Sequence, residues 1–379
     1  MKSSSSLREP LTGTSNITGN QKENTWQEIQ LIEARRRQLL RRSELPYWKI
    51  LTYVEGTCLR ALFSDWLLGM TMLVFFSVRL QVYLSGTLPD FAREVSRLSI
   101  DVIGGFLSFF LVLFVNQANA RFQEMYKESM NACKRIYDVA GSVATALPME
   151  RARRLVRYMN AAHVAGYVGL SHAYSRRYFF ETIKNEHGLL TETEMELIQH
   201  IDMDMDGPDA CHALVEFCMK DIDSAYREKL IEVKDFTGLR DKLLAFRGSI
   251  DVLYEYSDQP IHFFYIHFLC LLSTLYLPLF AASSAFKAGE ELHYTGDFLS
   301  GLIVLLQSTF VIGLRMLGRK MVDPYGEDLE DLSVLHYVTS AWHRSQCILH
   351  TRFPETVDPA LEKTLQEKHS SKERRPAFA

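Results

Sequence analysis

Residues 102–120 read VIGGFLSFFLVLFVNQANA, nineteen consecutive positions without an ionisable side chain, closed by Arg121. A helix needs about 20 such residues to cross the hydrocarbon core of a bilayer, so this run points to a membrane-spanning segment. Its polar groups are unevenly spread. Gly104, Gly105 and Ser108 come early, an apolar middle follows, and Asn116, Gln117 and Asn119 gather near the end. An amide exposed to lipid alone has no partner for its hydrogen bonds and is costly there. These amides are therefore expected to face protein or a water-filled path, which makes this helix a candidate pore lining.

Three further runs have the same character. Ala61–Val78 carries one charge, Asp65, near its inner end, where it can reach water or Arg60; Ile261–Phe286 and Phe298–Leu314 carry none. The mean hydropathy of -0.06 looks soluble, but that average hides apolar blocks alternating with segments that hold most of the charge. Basic residues set the orientation. Asn24–Arg42 places Arg35, Arg36, Arg37, Arg41 and Arg42 before the first span, and Arg315, Arg319 and Lys320 follow the fourth. By the positive-inside rule both termini are expected in the cytosol. The connections over Arg79–Ser99 and around Glu290, Glu291 and Asp297 are then external.

The chain divides accordingly. Residues 1–23 form a polar tail expected to be disordered, and 24–60 a basic, partly amphipathic segment. Residues 61–121 hold the first two spans, 122–260 a cytosolic helical domain, and 261–317 the last two spans. Residues 318–352 form an acidic juxtamembrane loop and a cytosolic helix, and 353–379 a polar tail. The fold class expected is an all-α membrane protein, with four transmembrane helices per subunit and a cytosolic helical domain around a central pore.

Several functions are excluded or weakened. A net charge of -4 without a basic, aromatic-interleaved stripe gives no reason to invoke nucleic acid. The six cysteines are scattered, with no CxxC pair and no histidine at zinc spacing. They read as free thiols. His262 and His267, five apart, fall on different helix faces and lack metal-pair spacing. Asp202-Met-Asp204-Met-Asp206-Gly207 imitates the first half of an EF-hand, but Pro208 follows the glycine and Ala213 stands where a bidentate glutamate belongs. No nucleophile, base and orienting group can be assembled, so the chain is not expected to be an enzyme. A secondary transporter would show an inverted repeat and broken helices, neither of which is visible. A non-conducting membrane scaffold stays open, and recording in a planar bilayer separates it from a channel.

The densest acidic stretch is Asp323-Pro-Tyr-Gly-Glu-Asp-Leu-Glu-Asp331, five carboxylates in nine residues around a Pro/Gly turn. It reads either as a solvated acidic loop or as a site for a hard cation, since calcium takes six to eight oxygens, carboxylates and turn carbonyls included.

Residues from about Leu45 to His350 resemble the bestrophins, pentameric anion channels. The resemblance rests on Tyr47-Trp48-Lys49, on Ser108-Phe109-Phe110-Leu111 through Ala120-Arg121-Phe122, and most specifically on Asp323-Pro-Tyr-Gly-Glu-Asp328. It implies a homopentamer in the lipid bilayer that conducts chloride, or bicarbonate. It also implies an apolar neck on the second span, here Gly105, Phe109 and Leu113, with Gly105 replacing a bulky residue. Calcium is the regulatory cofactor it implies, through the side chains of Asp328 and Asp331 and the carbonyls of Asp323 and Lys320. Ala34 supplies a further carbonyl by an ungapped count back from Trp48. Leu329 interrupts the acidic run that the family carries. Ile231–Asp235 are candidates for a cytosolic aperture, Ile231 and Lys234 among them.

Overall fold

The computed structural model describes residues 25–42, 45–50, 58–85, 90, 94, 100–171, 173–199, 207–288 and 294–351. The tail expected at 1–23 and the acidic motif at 202–206 lie outside them. Every regular element among the described residues is helical. In chain order the α-helices are α1 (Trp26–Arg42), α2 (Tyr47–Ile50), α3 (Cys58–Ser64), α4 (Trp66–Ser85), α5 (Ile100–Ala146), α6 (Met149–Ala165), α7 (Glu181–His187), α8 (Glu192–Gln199), α9 (Gly207–Arg227), α10 (Val233–Asp258), α11 (Phe263–Lys287), α12 (Tyr294–Val322) and α13 (Val334–His350), with a π-helical turn at Arg176–Phe180 leading into α7. Four of these, α4, α5, α11 and α12, are long and apolar enough to cross a membrane.

The spine is α5. Its 47 residues reach about 70 Å at 1.5 Å per residue, too long for a bilayer alone. Along it Gly104, Leu107, Leu111, Phe114 and Ala118 are buried, then Met125, Ser129, Ala132, Cys133, Ile136, Val139, Ala140 and Val143. The three- and four-residue spacing keeps one continuous face turned inward. The upper part of that face packs into a core with Leu67 of α4, Leu269 and Leu277 of α11, and Val311 and Ile312 of α12. The lower part enters a second core with Leu155 and Met159 of α6, Leu214 of α9, Leu243 and Phe246 of α10 and Val338 of α13. A change from apolar to charged composition after Arg121 thus leaves the helix unbroken.

Glycine allows two close approaches. A Cβ on Gly104 would lie 2.4 Å from the Tyr276 hydroxyl, and one on Gly318 would lie 2.4 Å from the Phe114 ring. These glycines let α11 and α12 seat against α5. On the far sides of the bundle Leu73, Phe76, Phe264, Leu271, Leu275, Phe298, Leu302 and Leu306 are exposed, an apolar belt suited to lipid.

Two boundaries depart from the sequence reading. The first span is expected at Ala61–Val78, but the chain breaks at Asp65, whose carboxylate accepts the Leu67 N–H at 2.9 Å, as an N-cap does. The ion-pair partner of Asp65 is Arg315 of α12 at 2.5 Å. The helix then continues through Arg79 to Ser85. Arg79 is not the start of a loop: it is buried, pairs with Asp297 of α12 and donates to the Ala285 carbonyl at 3.3 Å.

Candidate pore helix and acidic turn

Opposite the buried stripe of α5, Gly105, Phe109, Leu113 and Asn116 follow one another at four- and three-residue intervals and are all exposed in the single chain. Phe109 is 59% exposed and Leu113 43%. Added atoms on Gly105 would meet nothing within 4 Å. The predicted neck therefore forms a single file, apolar in its middle and amide at its inner end. Gln117 is exposed beside this file and Asn119 is half-buried.

What holds the file in place lies behind it. The Tyr265 hydroxyl donates to the Phe110 carbonyl at 2.9 Å, and Phe114 meets Tyr265 edge to face at 5.8 Å. At the inner end Arg121 donates to the carbonyls of Gln259, at 2.8 Å, and Tyr256. It also lies over the Tyr256 ring. These contacts fix α5 to α10 and α11 from behind, while the stripe itself stays exposed.

The aperture candidates separate. Ile231 is only 6% exposed and belongs to the lower core. Lys234, in the first turn of α10, is exposed. Helix α10 runs antiparallel to α5, since Gln259 meets Arg121 while Lys242 meets Ser142. Eight residues beyond Lys242, Lys234 lies about 12 Å farther from the membrane end of the molecule.

The acidic turn follows α12 directly. The Leu332 N–H donates to the Pro324 carbonyl at 2.8 Å and closes it. Tyr325, 1% exposed, reaches into α5, donating to the Met125 carbonyl at 3.1 Å and sharing a hydrogen bond with Ser129 at 2.5 Å. Asp331 is buried and accepts the Asp328 N–H at 2.7 Å. Burial pushes its carboxyl up to about 7, with Arg36 opposing the rise and the charges of Asp328 and Asp323 adding to it. A Cβ on Gly326 would lie 2.9 Å from an Asp331 carboxylate oxygen and 3.0 Å from one of Asp323. Only glycine lets the two carboxylates approach there. Lys320 pairs with Glu330 at 2.6 Å.

Into this turn comes a residue that the sequence reading took only as one of the basic group before the first span. Arg36 of α1 is 3% exposed. Its guanidinium donates to the carbonyls of Gly326 at 2.8 Å, Asp328 at 3.1 Å and Leu332 at 3.2 Å. It also reaches the Tyr174 hydroxyl at 3.3 Å and the Glu33 carboxylate at 3.4 Å, and lies 3.8 Å from Asp331. Glu33 in turn accepts from Ser333. The signal was available as a helical face, Ile29, Glu33 and Arg36, at spacings of four and three.

The resemblance implies only two calcium-binding side chains, Asp328 and Asp331, with carbonyls for the rest. No group of three or more His, Cys, Asp or Glu side chains among the described residues converges to hold a metal. Asp328 is exposed, and so is Ala34. Ala34 sits two residues from Arg36, on the opposite side of α1, with its carbonyl in mid-helix.

Comparison with known proteins places this architecture. A family model described as bestrophin, RFP-TM, chloride channel matches residues 38–349. Bestrophin homolog 17 of Caenorhabditis elegans is 23% identical over 66% of this chain and 53% of its own length. Bestrophin homolog 13 of the same organism is 23% identical over 68% and 62%. The chain thus spans between half and two thirds of the curated relatives it matches. A crystal structure of a bacterial bestrophin homolog from Klebsiella pneumoniae matches with a TM-score of 0.59 at 16% identity, over 75% of this chain and 96% of that one. At that identity the likeness is one of fold.

Proposed function

This chain belongs to the bestrophin family, whose model runs through all four candidate spans and the helical domain between them, and on that footing we propose that it forms an anion channel. One observation carries the reading: the stripe Gly105, Phe109, Leu113 and Asn116 is exposed on a helix whose opposite face is buried from end to end. A face that is apolar in its middle and amide at its inner end suits neither lipid nor an internal core. A ring of copies about one axis gives it a partner, because cyclic symmetry brings the same stripe from every subunit to the centre.

In the homopentamer proposed here Phe109 and Leu113 form an apolar gate that conducts when wetted, and Gly105 widens the outer ring. Asn116, with Gln117 and Asn119 near it, offers amide N–H donors to a partly dehydrated chloride or bicarbonate. Weak, plural contacts of this kind let an ion enter and leave. Lys234 adds positive charge at the membrane-distal mouth. Both termini are cytosolic in this arrangement, following the basic residues that flank the first and last spans.

The test is flux. Purified protein reconstituted in vesicles is expected to pass chloride down its gradient and to run as an oligomer in mild detergent. Monomeric protein that conducts would overturn the assembly, and oligomeric protein without anion flux would overturn the function.

A further inference from the structure

The acidic turn is a junction between three parts of the molecule. It continues α12, Tyr325 ties it to α5, and Arg36 ties it to α1. Helix α12 carries Gly318 against Phe114, the neighbour of Leu113 in sequence, so the position of the turn bears on the neck through packed atoms. What neutralises the turn therefore matters to the channel.

The neutralising group is already present. The guanidinium presents five N–H donors in a planar fork, and here they meet three turn carbonyls, a tyrosine hydroxyl and a carboxylate. Such a buried cation is stable only when so surrounded. A divalent ion held by Asp331 would lie beside the Arg36 guanidinium, which is 3.8 Å from that carboxylate, in a region shielded from water, where repulsion is strong. Of the ligands implied by resemblance, Ala34 stands apart, on the far side of α1 from Arg36.

We propose that Arg36 is the resident cation of the acidic turn, a positioning residue that joins the N-terminal helix to the inner end of α12 in place of calcium. The channel then needs no cytosolic calcium to hold α1 on the turn. Removing the guanidinium exposes the carbonyls and leaves Asp331 beside Asp328 and Asp323 without the Arg36 charge. Such a turn is starved of a cation and becomes able to take one from solution.

The experiment uses the purified full chain and calcium chloride as the probe, from about 0.1 µM to about 1 mM free ion, which spans sensor-type and weak sites. Thermal unfolding midpoints are read for wild type, Arg36→Met and Arg36→Lys, with currents in parallel. The wild-type midpoint and current are expected to stay unchanged across the range. Arg36→Met is expected to melt earlier in chelator and to regain midpoint and current as calcium rises, while Arg36→Lys, which keeps the charge but not the fork, falls between. Wild-type protein stabilised or activated by calcium overturns the proposal, as does an Arg36→Met loss that calcium does not rescue. If Arg36→Met fails to fold, the wild-type titration and Arg36→Lys still decide. The current readout rests on the channel reading, but the melting readout does not, so an absence of current in every variant would count against the channel alone.

Discussion

Replacing Gly318 by alanine tests how tightly α12 governs the pore helix. The new methyl would stand 2.4 Å and 2.5 Å from two carbons of the Phe114 ring, well inside the roughly 3.5–4.0 Å at which carbon atoms attract. The ring has little room to swing away. It is 2% exposed and held edge to face by Tyr265. Alanine gains about 0.5–1 kcal/mol over glycine within a helix, whereas overpacking a filled site costs typically about 1–3 kcal/mol. The net expectation is a loss on the order of 1 kcal/mol per subunit, from the balance of those two ranges. The assay is the unfolding midpoint of wild type, Gly318→Ala, Phe114→Ala and the double variant. Phe114→Ala alone should cost about 3–5 kcal/mol through its cavity, and the added methyl should recover part of it, a coupling of about 0.5–3 kcal/mol. A Gly318→Ala protein that is more stable than wild type, or strictly additive losses, would refute the close packing of these helices.

His163 is fully buried beside Cys133, Tyr167 and Phe246, and burial lowers its imidazole to about 3. The unfolded chain binds that proton near 6.5 and the folded chain does not, so stability is full above 6.5 and is lost as pH falls from there toward 3. His163→Phe should flatten unfolding curves over that window, and an unchanged slope would assign the acid sensitivity elsewhere. Arg79→Met leaves Asp297 without its ion-pair partner between α4 and α12 and should cost about 3–5 kcal/mol. Arg79→Met with Asp297→Asn should melt later than Arg79→Met alone, and equal midpoints would contradict the pairing.

Much of the architecture was legible because a membrane leaves few choices. Apolar runs of about 20 residues must be helices there, and all four were visible. Their ends were less so. Arg79 reads as a loop residue until Asp297, more than two hundred positions away, is found beside it. Asp65 has Arg60 as its neighbour in sequence but Arg315 as its partner in space. The stripe on α5 came from the family resemblance, and the four-residue spacing of Phe109 and Leu113 agrees with it. Arg36 was harder to single out, because Arg35 and Arg37 have the same composition: its place on the face of Ile29 and Glu33 was the one signal in the sequence, and its partner, the turn at 323–332, lies far along the chain. The acidic residues left a solvated loop and a cation site both open. They did not show that Arg36 enters the turn.

The claim on which the account depends is that the exposed stripe of α5 is the gate of an anion pathway. Single-channel recording of wild type and of Phe109→Ala with Leu113→Ala, under ion substitution, tests it most directly. Removing both apolar side chains makes the narrow ring easier to wet, so the account predicts anion-selective openings in both proteins and a higher open probability in the double variant. A folded, oligomeric double variant with gating identical to wild type would contradict it.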